Sequence, residues 1–225
     1  MKNKNNKLLW LIVITTVVMI GCKKSEYLTD RGVHKSVTAL SNYDYLKQNS
    51  WQSFDTLITI IDHYNLKDEV NKAATFFAPT NYSISRFIKL KDDSVKRINE
   101  QFKYTLNDLY NDINADSIRQ YLFKEKIDLT NSATTVTPFV SLGKTNCGVQ
   151  KYLQTDLAYY RWGSTPVYSL YYIKIRGPID NPNNPPLPND PNIDSKVLCQ
   201  TTGIETSSGA TILHVLANTH LFVRF

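Results

Sequence analysis

Around residue 122 the apolar residues of this 225-residue chain change their spacing. Before it they recur at three- and four-residue intervals. Phe54, Leu57, Ile58, Ile61 and Tyr64 stripe one side of a helix over 52–64, because residues about 3.6 apart share a helix face. A shorter helix over 42–48 would carry Tyr43 and Leu46 inward. Residues 75–79 read as a short strand closed by Pro79, and Thr80 or Asn81 is placed to cap a helix burying Ile84, Phe87 and Ile88. Asp92 and Asp93 suit the positive start of a further helix, with Val95, Ile98, Phe102, Leu106 and Leu109 as its buried stripe. Asp116 can cap another, carrying Ile118, Tyr121 and Leu122. Beyond that point Tyr, Val, Thr and Ile dominate and turn residues recur, which predicts strands at 125–129, 134–141, 149–154, 157–162, 167–175, 196–202, 210–217 and 219–225. The segment 167–175 is apolar on both alternations, as in a central strand covered on both faces. Helices first and strands last give an α+β domain. Helices of the N-terminal half pack on a twisted sheet formed mainly by the C-terminal half.

Two segments stand outside this pattern. Six of the nine prolines fall within 177–195. So many missing N–H donors leave no regular ladder, and a surface loop inserted between strands is expected. At the other end, Lys2, Lys4 and Lys7 precede an apolar run from Leu8 to Ile20. That run is too short to span a bilayer and has the length of a signal-peptide core. Met19-Ile20-Gly21-Cys22 resembles a lipobox, so residues 1–21 are expected to be removed and Cys22 to carry the lipid. Each buried acyl CH₂ contributes about 0.8 kcal/mol, so two or three chains hold a protein on a membrane. Lys23 follows the cysteine where Asp often signals inner-membrane retention, which favours the outer membrane, facing either the surface or the periplasm. Residues 22–38 form a polar tether, and the domain is expected over 39–225.

Removing Lys2, Lys4 and Lys7 from the 26 basic residues leaves 23 against 20 acidic ones, a net charge of +3. The basic residues form no stripe, so nucleic acid is not an expected partner. Cys147 and Cys199 remain. Outside the cytoplasm they are a candidate disulfide, closing a loop of about 50 residues worth on the order of 4 kcal/mol; the alternative is two buried thiols. Chemistry is sparse. No Gly-x-Ser-x-Gly, His-x-His, His-Glu-x-x-His or phosphate-cradling glycine loop is present, so no metal, cofactor or catalytic residue is assigned and an enzyme is not expected. Asp180, Asp190 and Asp194 in the proline-rich stretch lack a calcium-loop spacing. Tyr159, Tyr160, Trp162, Tyr168, Tyr171 and Tyr172 cluster within 14 positions. Aromatics favour strands, but exposed ones make binding platforms, with Tyr160, Trp162 and Tyr172 as the candidates.

The sequence TFFAPTNYSISRF (75–87), following FDTLITIID (54–62), resembles the first signature of the fasciclin (FAS1) family. GATILHVLANTHLFV (209–223) resembles the second, with Gly209, Ile212, His214 and Val215 in register. Phe76, Phe77, Pro79, Thr80, Asn81, Gly209 and His214 carry the likeness as structural residues. Phe76 and Phe77 alternate faces, so one is expected in the core. His214, between Ile212 and Leu216 on the same alternation, is expected to be buried and hydrogen-bonded to backbone. The middle departs from the pattern: Leu122-Phe123 stands in place of a Tyr-His pair. The resemblance covers about 40–225 and implies a FAS1-like fold without catalytic residues, used in adhesion and interaction. The chain is also similar to lipoproteins of the Bacteroidota, which implies an outer-membrane complex or polysaccharide capture system as its setting. The expected role is adhesion or protein–protein interaction, with glycan binding the alternative and a hydrolase the weaker one. The partners are the membrane, through the anchor, and a surface protein or polysaccharide.

Overall fold

The computed structural model describes residues 37–156 and 166–223. The leader, Cys22 and most of the tether therefore lie outside the described residues, as does the strand expected at 157–162. Among the described residues, six α-helices and seven strands follow one another in an α+β arrangement. In chain order they are α1 (Asn42–Lys47), α2 (Asp55–His63), α3 (Lys67–Lys72), β1 (Thr75–Ala78), α4 (Asn81–Lys96), α5 (Leu106–Asp112), α6 (Asp116–Arg119), β2 (Leu122–Phe123), β3 (Thr137–Val140), β4 (Asn146–Leu153), β5 (Tyr168–Lys174), β6 (Ser195–Thr206) and β7 (Thr211–Leu216).

The strands form one sheet in the order β2-β1-β7-β6-β5-β4-β3. Among the described strands only β1 and β7 run parallel; the other pairings are antiparallel. The 12-residue β6 is the hinge of the architecture. Its first residues pair with β5 (Val197 opposite Tyr172), and the remainder pairs with β7 (Ile204 opposite Leu213). Between them the register shifts around Thr201, and Gly203 adopts φ +72°, a left-handed conformation that a side chain disfavours. Such a bulge bends a strand and sharpens its twist. The sheet curls far enough for its two end strands to meet: the Leu142 N–H, just after β3, donates to the Leu122 carbonyl of β2 at 2.8 Å.

Helix α2 buries Leu57, Ile58, Ile60 and Ile61, on the face the spacing predicts. Each fully buried aliphatic side chain is worth about 2 kcal/mol. Phe76 and Phe77 are both buried, rather than one of them, because β1 lies between β2 and β7 with both of its faces covered. Phe77 continues a column of rings. It stacks on Tyr172 of β5 on one side and on His214 of β7 on the other, each at 4.8 Å between centroids.

Three expectations are corrected here. The helix started by Asp92 and Asp93 does not exist: α4 runs unbroken to Lys96, and both aspartates sit within it. Lys89 pairs with Asp93 and Lys96 with Asp92, four residues apart, so the charges stabilise one long helix. Ile98 is consequently left 90% exposed and Phe102 46% exposed, while Leu109 is buried in α5. Residues 125–129 form no strand but an irregular segment, with the short β2 lying just before them. Residues 219–223 are not a strand either. They are a turn in which Phe222 is buried against Phe87 and stacks on Tyr121.

The domain begins slightly before residue 39. Val37 bridges to Glu205, the Thr38 N–H donates to the Glu205 carbonyl, and the Ser208 N–H donates to the Thr38 carbonyl.

Candidate binding cleft at the proline-rich loop

The proline-rich stretch forms an irregular loop with only an isolated bridge between Asn181 and Asn184. Its neck is held closed by two carboxylates. Buried Asp194 accepts the Arg176 N–H at 3.2 Å on one oxygen and the Asp180 N–H at 3.0 Å on the other. Asp180 in turn accepts the Asp194 N–H at 3.0 Å. Asp190 stands apart from them and accepts the Asn192 N–H. Among the described residues, no group of three or more His, Cys, Asp or Glu side chains is arranged to hold a metal ion.

The clasped loop leans over the end strand β3. Between the loop and residues 134–136, just before β3, lies a cleft of 430 Å³ lined by Val136, Ile179, Pro182, Pro185, Pro186 and Lys196, among others. A second cleft of 480 Å³ follows β3 itself, lined by Pro138, Phe139, Val140, Ile175 and Ile179. Ile179 lines both. Val140, Ile179 and Leu187 are 58%, 41% and 78% exposed. Strand β4 can approach this region closely because Gly148 has no side chain: a Cβ there would lie 2.7 Å from a methyl of Val136.

Tyr160 and Trp162 lie outside the described residues. Tyr172 is fully buried, so it is no platform. It occupies the inward alternation of β5 with Leu170, and its hydroxyl donates to the Gln120 carbonyl at 2.6 Å. Tyr171, on the opposite alternation, meets the half-exposed Tyr152 edge-on.

Nor are Cys147 and Cys199 bonded; both are buried free thiols. Cys147 lies on β4 and Cys199 on β6, with β5 between them. Neighbouring strands are ~4.8 Å apart, so the two backbones are separated by more than the ~7 Å a disulfide can span. The Cys147 sulfur sits 3.0 Å from the Tyr172 hydroxyl. Because the tyrosine proton is directed at Gln120, the thiol is the donor. Burial pushes the Cys147 thiol up to about 11 and also raises that of Cys199, which leaves neither as a ready nucleophile.

His214 is buried, and both ring nitrogens are engaged. Nε2 donates to the Ile127 carbonyl at 2.9 Å, and Nδ1 accepts the Gly203 N–H at 3.2 Å. That arrangement requires the neutral ring, and burial lowers its pKa to about 4. The bulge in β6 explains the partner: Gly203 has left the ladder, and His214, opposite the gap, receives its N–H. Thr80 precedes α4, but its hydroxyl is not used on the helix; it donates to Asn218 at 2.8 Å. Asn81 instead ties α4 to the turn before α2, accepting the Thr56 N–H and donating to the Gln52 carbonyl. Gly209 has φ +91°, a backbone conformation that a side chain disfavours.

A scan of protein-family models finds no match to the chain, and neither does a search of curated proteins. No helix among the described residues is long and apolar enough to cross a membrane.

Proposed function

We propose that this chain is a lipid-anchored, non-catalytic interaction module of a bacterial outer membrane. On this reading its partner is a protein that docks along β3 and the proline-rich loop. The observation that carries the reading is the pair of clefts that share Ile179, one against the proline-rich loop and one along β3, with Val140 exposed on the strand and Leu187 exposed on the loop. Exposed apolar surface of this kind is characteristic of interaction sites, and a strand edge offers main-chain groups to an extended partner segment. Pro138 within β3 removes one donor and limits indiscriminate edge pairing. The inert environments of His214, Cys147 and Cys199 support a non-catalytic role. A FAS1-like fold is part of the proposal. It is supported by the parallel pairing of β1 with β7, which sets the two signature-like segments side by side with Phe77 opposite His214.

The test is photo-crosslinking on intact cells, with the reactive residue placed in turn at Val140, Leu187 and, as a control away from the cleft, Ile98. One discrete adduct shared by positions 140 and 187 and missing at 98 is expected. Equal adducts from all three positions, or none from positions 140 and 187, would remove the proposal.

A further inference from the structure

Trp51 is 85% exposed and Tyr82 is 62% exposed. A single exposed apolar side chain needs no explanation. These two line the same cleft of 240 Å³, together with Gln52, Ser53, Asn81 and Ser85. The cleft is built on a fixed turn. The Asn49 side chain accepts the Trp51 N–H at 3.2 Å and the Ser53 N–H at 3.4 Å, and the Asn49 carbonyl accepts the Gln52 N–H at 3.0 Å. Gln52 takes the left-handed conformation, φ 52°. Asn81 then fastens the turn to α4: its own N–H donates to the Ser53 carbonyl at 2.8 Å and its side chain to the Gln52 carbonyl at 2.7 Å. Trp51 and Tyr82 are therefore carried by elements locked to each other, and a ligand would find the cleft already formed.

The lining selects the ligand class. It holds two aromatic rings, two carboxamides and three hydroxyls, those of Ser53, Ser85 and Tyr82, and no charged side chain. A phosphate or carboxylate would find no counter-charge here. A purely apolar ligand would strip water from the hydroxyls and amides without replacing its hydrogen bonds. A pyranose ring satisfies both demands, with C–H faces for the aromatics and hydroxyl edges for the serines and Gln52. We propose that the Trp51–Tyr82 cleft is a binding site for a neutral saccharide, separate from the cleft beneath the proline-rich loop.

The experiment uses the full-length lipidated protein in a zwitterionic, sugar-free detergent, titrated by calorimetry with cellohexaose, xylohexaose, mannohexaose and laminarihexaose. Saturable binding of at least one is expected. Trp51→Ala and Tyr82→Ala should each weaken it about tenfold or more, while Trp51→Phe, which keeps a ring, retains most of it. Both positions are exposed, so circular dichroism and thermal melts of the variants should match the parent. The proposal is overturned if none of the four sugars binds, or if the alanine variants bind as well as the parent. It is equally overturned if a neutral proline-rich peptide saturates the cleft and the sugars do not. Because Val140 and Leu187 lie elsewhere, failure here leaves the crosslinking result untouched.

Discussion

His214 shows how a single residue can serve the fold by staying neutral. Its folded pKa lies near 4 because burial disfavours the charged ring, whereas an unfolded chain protonates it near 6.5. Between those values the unfolded state binds more protons, so stability is full above about pH 6.5 and falls as pH drops toward 4. Burial likewise depresses His220, to about 3, and extends the same trend. Denaturant unfolding of His214→Gln across pH 7 to 4 should show a flatter slope than the parent, the lost pH-dependent part being on the order of 3 kcal/mol. A parallel slope in the two proteins would mean that His214 is not the group responsible. The cysteines allow a second check at this scale. With no reductant present, a maleimide should leave Cys147 and Cys199 unmodified in the native protein and label both once guanidinium unfolds it. Labelling that still requires reductant after unfolding would indicate a bond between them.

Among the elements, the proline-rich loop and the bulged strand β6 are the informative pair. The loop has no ladder of its own, so its position depends on the Asp180–Asp194 clasp. Asp194→Ala leaves the Arg176 and Asp180 amides without their acceptor and should cost about 1–3 kcal/mol. It should also speed proteolytic nicking within 181–192, read by limited digestion and mass spectrometry, while the strands stay resistant. Unchanged cleavage would show that the prolines alone hold the loop. Helix α4 teaches a different lesson. Asp92 and Asp93 carry the charge expected at a helix start, but their lysine partners at four-residue spacing make them equally good within one.

For the molecule as a whole, the proposed anchor makes a direct prediction. Cys22→Ser should abolish incorporation of labelled palmitate and shift the protein out of the detergent-phase membrane fraction, with the melting temperature of its domain unchanged. The domain draws its stability from a core that starts at Tyr43 and ends at Phe222. Retention of the label by the variant would place the modification elsewhere.

Much of this architecture was legible in sequence because local physics sets it. The 3.6-residue stripe of α2, the doubly apolar β5 and the proline density of 177–195 each limit the chain to one kind of element, whatever packs against it. The buried His214 was legible for the same reason, sitting on the apolar alternation of a strand. What sequence left open depends on which strands become neighbours. The order β6-β5-β4 keeps Cys147 and Cys199 apart, and the inward alternation of β5 takes Tyr172 into the core. The bulge at Gly203 supplies the partner of His214. Trp51 and Tyr82, 31 positions apart, share a cleft only because Asn81 ties the turn before α2 to the start of α4. Side-chain period is a property of the local backbone, whereas adjacency is fixed by hydrogen bonds between segments that the sequence holds far apart.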